Sequence, residues 1–539
     1  MSKTSLLPEK STASIYQDFL CNLPQATSFL GPHFSEPAVF VAKAEEVCNK
    51  FSGEREQLAE LLLAYNRRLG CSAAVLTQIE KLRDERAVAV LCGQQAGLLT
   101  GPLYTIYKAL CAVKLAAKLE GELGRPVVPV FWIAAEDHDF SEANHCYVQD
   151  KEGKPRRIQL ELAHSGEPVG QIKLTEEAGR EVLAALAATV PVSEFSAEVM
   201  AWLEEARSLA ATPVDWFARI MIKLFAREGL VLFEPLLAEA RPLASAVFRQ
   251  AIEQREAAES ALALREAALR SEGYRLQVER EAGATLLMML GKKRTGLYWR
   301  DGHFMTRDGL FRRSEAELYE FACDLPESLS ANVLLRPLVQ DKIFPTVACI
   351  TGPGELAYFA QVTALYPVFG IEQPLLWPRP GVTLVERRLA RYLEKYRVAE
   401  EEILRGLDEA LAREIKKKSE LDIEGIFAHL RGHLALEYEH LKRDLVKLNP
   451  QLGVLADKNL SLVSNQISYL EDKAREEDKK KNEIMIRHFL ALEQTLRPNG
   501  KLQERVFCFL PFLLKYGPAF WEQLVSDFPC QPGHHLFYL

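Results

Sequence analysis

Residues 88–145 constrain the fold more than any other stretch of the chain. An apolar run, VAVL, breaks into CGQQAGLLTGPLYTIYKA, and a second run, VVPVFWIAA, breaks into EDHDFSEANH. Together they read as strand, glycine turn, helix and strand, one βαβ unit with both polar ends at the same edge of a sheet. In open parallel sheets ligands collect beyond the carboxyl ends of the strands. Function is therefore expected near residues 93–108 and 136–145.

The same order recurs downstream, where PTVACI, the turn Gly352-Pro353-Gly354, a helix from Glu355, Gly370 and PLLWPR follow one another. This predicts two related halves of one α/β domain with a doubly wound parallel sheet, interrupted by an insertion. Within the insertion, RRIQLELAHSGEPVGQIKL predicts a hairpin around its His-Ser-Gly-Glu-Pro break, and GLVLFEP a short strand of the main sheet. One long polar helix is expected over residues 237–271, and a second β-rich patch over residues 274–305. Beyond residue 385, Phe427, Leu430, Leu434, Tyr438, Leu441, Leu445 and Leu448 step by three and four. Pro450 interrupts, and Val463, Ile467, Leu470 and Ala474 resume the spacing, the pattern of an antiparallel coiled coil.

The domain reading is thus 1–150, a helical entry and the first half of the sheet; 151–330, the insertion, with a sheet strand near 229–235; and 331–384, the second half. Residues 385–497 form the coiled-coil arm and 498–539 a carboxyl-terminal segment packed on the core. A chain of 539 residues is long enough for several cores. Its net charge of −8 gives no reason to expect nucleic-acid binding. No basic leader precedes an apolar core, and no apolar run reaches the roughly 18 residues of a membrane helix, so a cytoplasmic protein is expected. The 10 cysteines include no Cys-x-x-Cys pair, which implies neither a disulfide framework nor a zinc knuckle; Cys92, at the glycine turn, is the one to watch for reactivity.

Gly93, Gly97 and Gly101 recur at every fourth position, which is neither the dinucleotide fingerprint nor the Walker pattern. What remains is a turn whose amides, at the start of the helix carrying Tyr104 and Lys108, suit a carboxylate or phosphate, with Gln94, Gln95 and Thr100 beside it. The alternative is a turn that only packs closely on its neighbours. Glu136, Asp137, His138 and Asp139 follow the apolar strand directly, and clustered carboxylates beside an imidazole suit an amine or a proton shuttle. Asp139 and Glu142 also have the spacing of a capping box, which would make Asp139 a helix cap. His138, Glu142 and His145 mimic metal spacing, but without further ligands no metal is expected. In the second half, Asn332 and Arg336 precede Pro337, and Arg336 suits a bidentate carboxylate or an ion pair to the insertion. Gly354, Glu355 and Gln361 belong to the helix after the GPGE turn as substrate contacts, whereas Tyr358 reads as core.

GQQAGLLTGPLYTIYKA, PVFWIAAEDHDFSEANH, NVLLRPLVQD, GPGELAYFAQ and RPNGKLQERVFCFLPFLLKYGP together resemble the bacillithiol biosynthesis cysteine-adding enzyme family, BshC, from about residue 10 to the last residue. The resemblance implies a Rossmann-like core with connective-peptide insertions and a coiled-coil arm that makes a homodimer. It implies a ligase that joins L-cysteine to glucosaminyl malate, giving bacillithiol; for that reaction Arg336, Lys108 and the helix start after Gly101 suit the malate, and Asp137, His138 and Asp139 suit the ammonium and its deprotonation. The core is similar to class I aminoacyl-tRNA synthetases and mycothiol cysteine ligases, which use ATP. Here, however, the His-Ile-Gly-His position reads Thr-Gly-Pro-Leu-Tyr and no Lys-Met-Ser-Lys-Ser occurs, which leaves the energy source open. A second nucleotide site, for ATP or ADP, is implied at Arg497, Asn499, Lys501, Gln503 and Arg505; a solvated loop with Asn499-Gly500 as a helix stop is the alternative. The competing functional reading is a nucleotide-responsive scaffold that has lost catalysis. Dense polar chemistry at both strand ends favours the enzyme.

Overall fold

The computed structural model describes residues 14–418 and 422–539. Two compact units emerge: the first runs to Leu384 and takes up again from Lys501 to Phe537, and the second is Val385–Gly500.

The first unit is built on a five-stranded sheet of β1 (Val88–Gln94), β2 (Val127–Ile133), β3 (Val231–Phe233), β4 (Thr346–Thr351) and β5 (Leu375–Pro378). Their spatial order is β5-β4-β1-β2-β3 with every neighbour parallel. This is the doubly wound order, and the winding reverses between β1 and β4. Helices cover both faces, so the strands are apolar runs without alternation, and every residue of β2, β3 and β4 is buried. Helix α1 (Leu103–Leu123) connects β1 to β2 and ends at Gly124, which takes the left-handed conformation of a C-cap at φ 60°. Helix α2 (Pro353–Val362) connects β4 towards β5 and begins at the Gly352-Pro353-Gly354 turn.

The edge strand β3 is closed by a side chain. Asn66, fully buried on the helix Arg55–Arg68, donates from Nδ2 to the Leu232 carbonyl at 3.0 Å and accepts from the Leu232 amide at 3.1 Å. One carboxamide thus supplies both groups that a further strand would offer, which blunts an otherwise open edge.

The insertion carries β3 into the sheet as expected and adds a second, antiparallel sheet in which Leu329–Ala331 pairs with Ala284–Leu290, followed outward by Arg294–Arg300, His303–Thr306 and Arg312–Arg313. Two expectations are corrected. The hairpin pairs His145–Gln149 with Pro155–Gln159, and its turn lies at Asp150, whose Oδ1 accepts from the amides of Glu152 and Lys154. The His-Ser-Gly-Glu-Pro break is therefore not a hairpin turn, because the strand before it already has its partner upstream. The long polar helix is two helices, Arg241–Glu253 and Arg255–Ser271, hinged at Gln254, where the Arg255 guanidinium turns to lie 4.0 Å over the Trp299 ring.

In the second unit, α3 (Ile423–Leu448) and α4 (Pro450–Lys481) form an antiparallel hairpin around Asn449. Its rungs are Arg431 to Glu471 at 2.6 Å, Tyr438 to Asn459 at 2.6 Å and Lys442 to Asp457 at 2.7 Å. Two helices bury only one seam, so Leu430, Leu441 and Leu470 of the apolar spacing remain exposed while Phe427 is buried. Among the described residues no helix is long and apolar enough to cross a membrane.

Replacing Asn66 by Leu strands both backbone groups of Leu232 in the interior. Urea unfolding of the purified protein should show a loss on the order of 3 kcal/mol; an unchanged midpoint would mean that the β3 edge does not depend on this side chain.

Candidate functional site

A cavity of about 420 Å³ opens where the winding reverses, at the carboxyl ends of β1, β2 and β4. Its size falls in the range of small-molecule sites. Gly93, Gln94 and Gln95 reach it from β1, Trp132, Glu136 and Asp137 from β2, and Gly352, Gly354 and Glu355 from the start of α2. Asn332 and Arg336 enter from the segment before β4, and Arg294 from the antiparallel sheet.

Lys108 forms the floor. Its side chain is 2% exposed, and Nζ donates to the Gly93 carbonyl at 2.8 Å and Gln94 Oε1 at 2.9 Å while forming an ion pair with Glu355. All three ammonium donors are engaged, so this lysine ties β1 to α2 and has none left for a substrate carboxylate. Glu355 also accepts from the Gly352 amide at 2.8 Å, which fixes the turn that opens α2. Gln94 completes the floor by donating to the Tyr104 hydroxyl at 3.3 Å.

Two further ion pairs stiffen the walls. Glu136 accepts from Arg241 at 2.5 Å, both buried. Arg379 grips Glu504 through two bonds of 2.9 and 2.7 Å, and Glu504 also accepts from the Val382 amide at 3.0 Å. Arg379 also lies over the Tyr104 ring at 5.4 Å, so the carboxyl-terminal segment is clamped to the cavity wall.

The remaining charged groups of the cavity are unpaired. Arg336 donates to Gln340 Oε1 at 3.0 Å and to the Tyr358 hydroxyl at 3.2 Å, both neutral partners. Arg294 donates to Ser330 Oγ at 3.1 Å and the Ala331 carbonyl at 2.5 Å. Arg505 stands exposed at the rim. Among the described residues, no carboxylate lies within ion-pair distance of these three arginines. Conversely, Asp137 has no lysine or arginine partner; it accepts from Gln95 at 2.5 Å and from the Asp139 amide at 3.2 Å, and the His138 ring lies 3.7 Å away. The cavity therefore presents, among the described residues, three arginines without a carboxylate at ion-pair distance together with one aspartate that has no lysine or arginine partner.

Behind Arg336 runs a buried relay: Gln340 donates to Asp341 at 3.0 Å, and the Tyr366 hydroxyl donates to the same carboxylate at 2.5 Å. Burial raises the Asp341 carboxyl to about 6, against the pull of its hydrogen bonds and of Arg336. Burial likewise lifts Tyr358 to about 12, so its phenol stays protonated at neutral pH.

Several residues singled out in the sequence stand elsewhere. Gly97 and Gly101 touch: a Cβ on Gly97 would sit 2.7 Å from the Gly101 Cα, so this turn is a close-packing device. Thr100 is fully buried beside Cys508, outside the cavity. The start of α1 is not open to an anion, because the Leu103 amide donates to the Phe507 carbonyl at 2.8 Å and Cys508 donates to the Leu99 carbonyl at 3.0 Å. Cys92 is fully buried, and burial pushes its thiol well up, away from reactivity. Asp139 caps the short helix Phe140–Ala143, where the Ser141 hydroxyl and the Glu142 amide hold its carboxyl below the usual range. His138 is half exposed and does not line the cavity, and His145 begins a strand. No group of three or more metal-ligating side chains occurs among the described residues. Gln361 is buried and holds both backbone groups of Val278, so it braces the insertion.

The carboxyl-terminal set divides between the two units. Arg497 donates to the carbonyls of Ile403, Leu404 and Gly500 in the second unit, where Asn499 takes the left-handed conformation at φ 55°. In the first unit Gln503 is buried against both backbone groups of Leu384, and Lys501 is exposed. Arg505 alone lines the cavity. Sequence reasoning missed Arg294, Arg379 with Glu504, and Arg241; only the fold brings these distant residues to the strand ends, and the GKKRTG turn before the hairpin strand was the one local signal for Arg294.

Two domains of bacillithiol biosynthesis BshC match the chain end to end, the N-terminal Rossmann-like domain over residues 1–380 and the C-terminal coiled-coil domain over residues 382–539. Relatives that bear the name "Putative cysteine ligase BshC" include one from Desulforamulus reducens, 32% identical over 87% of this chain and 86% of that protein. Another, from Geobacillus kaustophilus, is 35% identical over 88% of each. A third, from Symbiobacterium thermophilum, is 33% identical over 91% of each.

Two outcomes test this geometry. Glu504→Ala leaves the Arg379 charge buried without a partner, and thermal denaturation should show a loss of about 3–5 kcal/mol; a loss below about 1 kcal/mol would rule out the clamp. Asp341 holds its proton more tightly in the folded chain, at about 6, than the ordinary 3.8. Its contribution to stability therefore falls as pH rises from about 4 to about 6, by roughly 3 kcal/mol in all. Urea unfolding of Asp341→Asn across this window should show a flatter pH dependence than the unsubstituted protein, whereas parallel curves would refute the assignment.

Proposed function

The chain belongs to the bacillithiol biosynthesis BshC family, and from that premise we propose that it is a cysteine ligase which forms the amide bond between L-cysteine and the glucosamine amine of glucosaminyl malate. One observation carries the reading: a single cavity at the switch point holds, among the described residues, three arginines without a carboxylate at ion-pair distance beside an aspartate without a lysine or arginine partner. A condensation of this kind brings together an acidic hydroxy-acid glycoside and an amine, and these groups match those charges.

In this reading Arg336 holds a malate carboxylate through guanidinium N–H groups beyond those it donates to Gln340 and Tyr358. Asp137 receives the ammonium of the glucosamine and takes a proton from it, which frees the nitrogen lone pair to attack the carbonyl carbon of an activated cysteine carboxyl group, whose C–O bond to its leaving group then breaks. Gln95 holds Asp137 in place through its 2.5 Å bond. The α2 amide dipoles and Arg336 favour the negative charge that develops on the carbonyl oxygen. Amide formation from a free carboxylate needs an energy source, and ATP, if bound, would supply the phosphoryl or adenylyl group that activates the carboxylate and leaves with its oxygen. No step is routed through ATP or ADP. Exposed Leu441, Leu462 and Leu470 on the hairpin support self-association through the arm.

Mass-spectrometric thiol profiling of a deletion strain of the source organism tests the reading whatever the cosubstrate is. Glucosaminyl malate should accumulate and bacillithiol disappear, with recovery on return of the intact gene and none with Asp137→Ala. Unchanged bacillithiol in the deletion strain would overturn it.

A further inference from the structure

The acceptor assigned above carries two carboxylates, yet Lys108, the second cation that the sequence offers for them, has all three donors engaged inside the protein. A different cation stands in the same cavity. Arg294 opens the hairpin strand Arg294–Arg300, where its backbone pairs with Leu290. Its guanidinium is held from behind by the hydroxyl of Ser330, a fully buried residue, and by the Ala331 carbonyl. These bonds use Nε and one terminal nitrogen, and among the described residues the other terminal nitrogen has no hydrogen-bond acceptor.

Asn332 braces the chain between the segment that holds Arg294 and the helix that carries Arg336. It follows directly on Leu329–Ala331, the strand that anchors Arg294, and its Oδ1 accepts from the amides of Leu334 and Leu335 at 3.0 Å each. Its Nδ2 donates to the Thr285 carbonyl at 3.2 Å. The side chain predicted as a substrate contact thus braces the short link between the anchor of one arginine and the helix Arg336–Ile343 that carries the other. Both guanidiniums are immobilised by neutral groups, so each keeps its full charge for a ligand, and neither needs to be reoriented when one arrives.

We infer that Arg294 is a specificity-determining residue of this site, which binds the second carboxylate of the hydroxy-acid portion of the acceptor while Arg336 binds the first. The inference rests on the proposed function. It adds that discrimination between a dicarboxylic and a monocarboxylic hydroxy-acid glycoside resides in the antiparallel sheet of the insertion, outside the parallel core. An arginine built to meet a carboxylate is left with an unanswered charge when that group is missing, which is how such a site rejects the smaller analogue.

Isothermal titration of the full chain with glucosaminyl malate and with glucosaminyl lactate, which lacks one carboxylate, reads this directly. The unsubstituted protein should bind the malate glycoside at least about tenfold more tightly. Arg294→Ala should reduce that preference to less than about twofold, and Arg294→Lys should keep part of it because the charge remains without the planar fork. Arg336→Ala should weaken both ligands alike. A full preference in Arg294→Ala, with normal binding otherwise, would overturn the role of Arg294 and leave the ligase reading standing. Failure of the unsubstituted protein to bind glucosaminyl malate would overturn both.

Discussion

The buried ammonium of Lys108 is the constraint on which the rest of the site depends. A lysine almost fully removed from water persists only when each of its donors meets an acceptor. Here those acceptors are a β1 carbonyl, the Gln94 amide oxygen and the Glu355 carboxylate, which come from the two halves of the sheet. Satisfying one side chain therefore joins β1 and α2 at the point where the winding reverses. The same bonds fix the Gly352-Pro353-Gly354 turn, because Glu355 also holds the Gly352 amide.

This arrangement separates charges that build the cavity from charges that face a ligand. Lys108 with Glu355, Arg241 with Glu136, and Arg379 with Glu504 are neutralised pairs that make rigid, polar walls. Arg294, Arg336, Arg505 and Asp137 are held by neutral groups or stand at the rim and keep their charge. Such preorganisation lets a ligand meet fixed charges without first reorganising them.

The carboxyl-terminal segment gives the first unit its closure. Phe507 and Cys508 occupy the start of α1, and Glu504 holds Arg379 against the wall. A helix amino terminus that a parallel sheet would ordinarily offer to an anion is thereby filled by the protein's own carbonyl. Anion binding is displaced from the glycine turn to arginine side chains.

Much of this was legible in the sequence. Apolar runs of strand length broken by glycine turns determined β1, β2, β4 and β5 and the doubly wound class, because a strand buried on both faces has no polar alternation. The position of the site also followed, since a parallel sheet places its open carboxyl ends together; Gln94, Gln95, Asp137, Arg336 and Glu355 all reach the cavity. The three-and-four spacing determined the helical hairpin. Tertiary structure alone decided which charged residues are free, because a charge is neutralised by whatever the fold brings near it. Lys108 and Arg336 look equally available in sequence, yet Glu355, 247 positions beyond the lysine, forms its direct ion pair with Lys108. Arg294 belongs to no motif and enters the site only because a hairpin far along the chain packs beside the strand ends. Local pattern reports which face of an element is buried, whereas the pairing of charges depends on contacts between residues hundreds of positions apart.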